Sequence, residues 1–111
     1  MGEKVGSLSK ARSPSQQELT TLSETFRLLG DPSRLKILLY CSDGSRSVSE
    51  ISEDLELSQS LVSHHLRLLR GAKLVRGVRQ SKNVFYEIAD EHVSDMLHDM
   101  ISHIGEEDAP G

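Results

Sequence analysis

SVSEISEDLELSQSLVSHHLRLLRGAKLVRGVRQSKNVFYEI, residues 47–88, is the stretch whose reading decides the fold. Its centre, Ser58 to Arg70, reads as one helix. Ser58 can cap it with its hydroxyl, and Leu57 can staple onto Val62. At ~100° per residue, Leu61, Val62, Leu66, Leu68 and Leu69 share one arc. Ser60, Ser63, His64, Arg67 and Arg70 share the opposite one, which holds no carboxylate. Such a face suits phosphates and base edges. Upstream, Ser47-x-x-Glu50 is a capping box, and Val48, Ile51 and Leu55 repeat at helical spacing. A tight turn at Leu55–Leu57, with Glu56 where glycine is common, joins the two helices. Downstream, Leu74–Gln80 and Val84–Ile88 are rich in Val, Phe, Tyr and Ile and flank the polar tip Ser81-Lys82-Asn83. That pattern predicts a β-hairpin. A helix-turn-helix followed by a basic hairpin is a winged helix.

Charge supports the same reading. Between Leu57 and Tyr86 stand Arg67, Arg70, Lys73, Arg76, Arg79 and Lys82, with no Asp or Glu. That segment is +6 in a chain of net charge −4, so the remainder carries −10. The overall acidity argues against nucleic acid; the local asymmetry argues for it.

With 111 residues, the chain has room for one domain with one small core. Residues 1–14, poor in apolar side chains, are expected to be a disordered tail. The domain is expected over 15–106, with a short acidic tail at 107–111. Ser15 to Leu29 reads as a first helix ended by Gly30. Asp31 caps a second, with Pro32 at its first position and Leu35, Ile37, Leu38 and Leu39 on its apolar face. Ser42-Asp43-Gly44 reads as a turn. The single Cys41 reads as a structural thiol. No apolar run approaches the ~20 residues that span a bilayer, and no secretory signal is visible, so a cytoplasmic protein is expected.

The last helix is expected over 90–104. Val93, Met96, Leu97, Met100, Ile101 and Ile104 form a narrow seam of the kind that packs on a partner. With so thin a core, the seam suggests a homodimer in which the first and last helices pair across a two-fold axis. The expected architecture is therefore mainly helical with a small hairpin, in the order α-α-α-α-β-β-α, as a homodimeric winged helix-turn-helix.

Beside that seam lie Asp90, His92, His103 and Glu106. His92 and His103 are eleven residues apart, about three turns, and fall on nearly the same side. A rise of ~1.5 Å per residue separates them by roughly 16 Å, whereas zinc holds nitrogen at ~2.0–2.1 Å. One helix cannot bring both to one ion. Two antiparallel copies can, with Asp90 and His92 of one meeting His103 and Glu106 of the other. Two such N2O2 sites per dimer would suit Zn(II), with Co(II) as a substitute. Read from the residues alone, ordinary surface histidines stand equally open. His98 lies on the far flank, His65 on the apolar arc, and Asp99 beside the two candidate histidines.

Gly30-Asp31-Pro32-Ser33-Arg34-Leu35-Lys36-Ile37-Leu38, then Leu57-Ser58-Gln59-Ser60-Leu61-Val62-Ser63-His64-His65-Leu66, then Leu74-Val75 and the hairpin, resemble the ArsR/SmtB family of bacterial metal-sensing repressors. The resemblance covers roughly residues 15 to 106. It implies that Asp90, His92, His103 and Glu106 are the inter-subunit zinc ligands of the last helix. It also implies a dimer that binds an inverted-repeat operator without metal and releases it with metal, derepressing genes for metal efflux or sequestration. The chain departs from the soft-metal sensors of that family: Ser47-Val48-Ser49-Glu50 has no cysteine where they carry Cys-x-x-Asp, and Cys41 has no partner. Ni(II) sensors recruit further ligands, for which only the acidic end at Glu107 and Asp108 offers candidates.

Ser58, Gln59 and Ser60 are expected to meet phosphates or base edges, Ser63, His64 and Arg67 base edges, and Arg79, Gln80 and Lys82 the backbone or minor groove. An enzyme is not expected: no nucleophile–base pair, Gly-rich phosphate loop or open three-ligand metal site is present. The alternative to a metal sensor is a winged-helix regulator that answers a non-metal signal.

Overall fold

A computed structural model of the protein describes residues 12–108, the side chains of 107 and 108 excepted. The expected tail up to residue 11 and the final residues 109–111 lie outside it. Among the described residues, five helices and three short strands follow in the order α1 (Gln16–Leu29), α2 (Pro32–Ser42), β1 (Arg46–Ser47), α3 (Val48–Leu55), α4 (Gln59–Gly71), β2 (Val75–Gln80), β3 (Asn83–Ile88) and α5 (Glu91–Asp108).

The helix starts are set by short polar side chains. Ser15 and Ser47 each close a capping box, with Glu18 and Glu50. Asp31 accepts from the Arg34 N–H ahead of Pro32, and Ser58 accepts from the Leu61 N–H. Each satisfies a backbone donor that the first turn leaves orphaned. At the start of α1, Arg12 also donates to both oxygens of Glu18 at 2.9 Å. That pairing, and the Ser15 N–H after it, hold the Glu18 carboxyl down to about 2. Between α3 and α4, Glu56 adopts φ 57, ψ 47, the left-handed conformation expected of a helix-turn-helix corner.

The core is built from one face of each central element. Ile37, Leu38 and Cys41 of α2, Ile51 of α3, and Val62, Leu66 and Leu69 of α4 are almost wholly excluded from water. Leu74, Val75, Val93 and Leu97 close it from the hairpin and the start of α5. Burial pushes the Cys41 thiol up to about 12, which makes it the inert structural group expected.

Four details depart from the sequence expectations. A third strand, β1, pairs with β3 through Arg46↔Tyr86 and Ser47↔Phe85, giving the sheet order β1-β3-β2. The hairpin loop is two residues, Ser81 and Lys82, because Asn83 already pairs with Gln80. Ser81 alone takes a positive φ there, the pattern of a type II′ turn. α5 runs to Asp108, four residues past the expected end. Leu61, placed on the apolar arc, lies at its edge and is 37% exposed.

Candidate nucleic-acid interface and metal-binding face

α4 turns Val62, His65, Leu66 and Leu69 inward. Ser60, His64, Arg67 and Arg70 are exposed on the other side, and Ser63 is half-buried. His65 thus packs inward, as its arc predicted. At the helix start, Ser58 and Gln59 are partly engaged: the Ser58 hydroxyl oxygen caps Leu61, and Gln59 Nε2 donates to Ser49 Oγ at 3.5 Å. Arg79, Gln80 and Lys82 are exposed on the wing.

The six basic residues of the segment are not equivalent. Arg76 is held by Glu87, at 2.6 Å across the hairpin, and Ser45 donates to the other Glu87 oxygen at 2.7 Å. Those two hydrogen bonds, Ser45 first, hold the Glu87 carboxyl below its usual range. Among the described residues, Arg67, Arg70, Lys73, Arg79 and Lys82 make no ion pair within 4 Å. Five of the six cations therefore remain available to a polyanion.

Tyr86 was not expected to matter and sits at the centre of this surface. It lines a cleft of about 280 Å³ with Ser63, Leu66, Arg67 and Arg70 between α4 and the hairpin. On its other side it lines a cleft of about 360 Å³ with Ser47, Ser49, Lys82 and Asn83. Its place depends on Gly77, its cross-strand neighbour. A Cβ at Gly77 would stand 3.1 Å from Val84 Cγ1 and 3.4 Å from the Tyr86 ring. The alternation of β3 and the glycine opposite were the available signal. The first cleft gathers two guanidinium groups and two hydroxyls without a carboxylate, a chemistry that suits a phosphate.

On α5, His92, His103 and Glu106 are exposed, and so is Asp90 just before it. One Asp90 oxygen, Oδ1, accepts from the Val93 N–H at 3.1 Å, so the carboxylate is a helix cap with one oxygen to spare. The chain does not bring the four together: no group of three or more His, Cys, Asp or Glu able to hold a metal occurs among the described residues. His98 lies elsewhere, 3.4 Å from Ser94 Oγ.

Next to this stripe is an apolar groove of about 190 Å³, lined by Phe26 and Leu29 of α1, Leu35 and Leu39 of α2, and Met96, Leu97, Met100, Ile101 and Ile104 of α5. Phe26, Met100, Ile101 and Ile104 are each about half exposed, as are Leu19 and Leu22 further along α1. α1 contributes no buried residue at all.

Residues 31–76 match the model of the family described as bacterial regulatory protein, arsR family. The chain is 35% identical over 94 residues to the HTH-type transcriptional repressor SmtB of Mycobacterium tuberculosis, covering 85% of this chain and 70% of that one. The chain belongs to the ArsR/SmtB family. Its helix-turn-helix and wing are thus those of a DNA-binding transcriptional repressor, not of an enzyme. The solution structure of apo-NmtR superposes with a TM-score of 0.71 at 33% identity, over 86% of this chain and 81% of that one. A Staphylococcus aureus homolog of the cadmium resistance regulatory protein CadC is 30% identical over 79% of this chain and 74% of its own. No helix among the described residues is long and apolar enough to cross a membrane.

Proposed function

We propose that the protein is a homodimeric, metal-responsive repressor whose effector sites lie between subunits. The observation that carries this is the pairing, on one helix, of an exposed ligand stripe with an apolar face that its own chain leaves half uncovered. A second copy laid on α1 and α5 buries Phe26, Met100, Ile101 and Ile104. It also sets Asp90 and His92 of one copy beside His103 and Glu106 of the other.

The donor set fits the ion. Two imidazoles and two carboxylates suit Zn(II), with Co(II) as a substitute and Ni(II) less well matched. Asp90 retains one oxygen beside its capping bond. The cadmium-resistance relative points to metals as the class of signal. When bound, the ion supplies a link between two chains. The residues do the rest: the candidate ligands lie near the two ends of α5, and its first turns pack through Val93 and Leu97 into the same core that holds α4. A fixed angle between two α5 helices is thereby a fixed separation between two α4 helices. Operator half-sites lie about one turn, ~34 Å, apart, so a change in that separation weakens binding. Couplings of this kind are typically ~1–3 kcal/mol.

On the DNA, Ser60, Ser63, His64 and Arg67 face the bases, with Ser58 and Gln59 at the helix start. Arg79, Gln80 and Lys82 of the wing follow the backbone. Arg70 and Tyr86 join them as phosphate contacts.

Heterodimers test the arrangement. One chain carries Asp90→Ala and His92→Ala, the other His103→Ala and Glu106→Ala. Each homodimer is expected to bind no zinc in equilibrium dialysis. The mixed dimer regains one intact site and is expected to bind one ion per two chains. A mixed dimer without zinc excludes shared sites. Zinc-independent DNA binding by an unmodified dimer that takes up zinc favours a regulator of some other signal.

A further inference from the structure

Arg34, in the first turn of α2, reaches three neighbours with one guanidinium. Its Nε donates to His65 Nδ1 at 3.2 Å, in the middle of α4. One terminal nitrogen donates to the Leu28 carbonyl at 3.0 Å, in the last turn of α1. The other lies 4.0 Å from the Asp31 carboxylate, which also caps the helix through the Arg34 N–H. The His65 side chain is almost wholly buried and is the buried polar residue among the described ones.

A guanidinium has donors and no acceptor. His65 Nδ1 therefore accepts, and the neutral ring carries its proton on Nε2. We propose that Arg34 and His65 form a strut that positions α4 against α1 and α2 for DNA binding, and that this strut holds only while His65 is neutral. The proposal rests on α4 being the recognition helix.

The groups that face His65 are Arg34 from α2, Asp31 that caps it, and His64 from its own helix. Burial, then the charge of Arg34, then that of His64 disfavour its cation, while Asp31 favours it; the balance lies below the ordinary value of 6.5. A proton on Nδ1 would set N–H against N–H beside a fixed guanidinium. The bond to Arg34 is then lost, and α4 with it loses its tie to Leu28. If DNA binding requires the neutral ring, affinity falls by up to about tenfold per pH unit once His65 titrates.

The test uses metal-free protein in chelator and a fluorescein-labelled duplex selected by the wild type from a random pool. Anisotropy is followed from about pH 7.5 to about 5.5, a range that spans histidine titration. The wild type is expected to weaken as the pH falls. His65→Asn keeps an acceptor where Nδ1 stood and removes the titration. It is expected to match the wild type at the upper end and to lose the acid weakening. Arg34→Met is expected to bind more weakly throughout. The same acid weakening in His65→Asn overturns the proposal. So does an imidazole ¹⁵N spectrum of the wild type with the His65 proton on Nδ1, which decides the matter even if the variants do not fold. A wild type that binds no duplex at the upper pH, with the Nε2 tautomer intact, instead refutes the reading of α4 and takes the proposal with it.

Discussion

α4 and α1 are helices of similar length, thirteen and fourteen residues, with opposite fates. α4 buries four side chains in its own chain's core and shows water a polar, basic arc. α1 buries none and shows water Leu19, Leu22 and Phe26. The first is finished within one chain, and the second is not. The DNA-reading half of the molecule is thus self-sufficient, whereas the half that carries the candidate ligands leaves an apolar face open. Apolar faces of this kind rarely stay open in a soluble chain unless something docks there.

The largest way to break this contrast is Ile101→Glu. Ile101 is 49% exposed in its own chain, so the monomer is expected to keep its circular dichroism spectrum. A carboxylate in the covered face is expected to convert the dimer to monomer in sedimentation velocity. Affinity for paired half-sites should then fall roughly 100- to 10,000-fold, because the second half-site is no longer bound at high effective concentration. A variant that stays dimeric would place the subunit contact elsewhere.

A smaller effect sharpens the other half. Arg70 lines the Tyr86 cleft without an ion pair, whereas Arg76 is held by Glu87. Arg70→Ala is expected to flatten the plot of log affinity against log salt by about 0.9, the weight of one phosphate contact. Arg76→Ala should leave that slope in place. Equal changes in both would mean that position on the surface, not pairing, decides which cations meet DNA.

Local chemistry made most of the fold legible. Asp31, Ser47 and Ser58 each announced a helix start, and each caps one; Ser15, read as the first residue of its helix, caps it too. Periodicity found every helix among the described residues, and the hairpin. It did not find β1, because two residues, Arg46 and Ser47, carry no period and pair only through contacts forty residues away. It stopped α5 at Ile104, where the apolar seam ends, although the backbone continues through Gly105 to Asp108. The Arg34–His65 bond was equally invisible: it joins residues 31 apart, and nothing local to either points to the other. Spacing along one helix placed the four candidate ligands on its surface. Their proposed convergence needs a second chain, which no single-chain pattern displays.

The smallest prediction concerns the corner between α3 and α4. Glu56 sits at φ 57, ψ 47, where an L side chain costs roughly 1–2 kcal/mol. Ser52 holds the corner in place: its carbonyl accepts the Glu56 and Leu57 N–H groups, and its hydroxyl donates to the Leu57 carbonyl at 2.5 Å. Glu56 itself is exposed, so its side chain contributes little. Glu56→Gly removes the strain but adds freedom to the unfolded chain, worth ~0.4–1 kcal/mol against it. The net gain is expected to be about 0.5–1 kcal/mol, a rise of a few degrees in Tm. Because this corner lies in the self-sufficient half, the increment in Tm over the wild type should be the same at every protein concentration. The loss caused by Ile101→Glu should instead grow with concentration, because the wild type gains stability as its dimer forms and the variant does not. An increment for Glu56→Gly that varies with concentration would mean that the corner feels the second chain, and the division between the two halves would fail there.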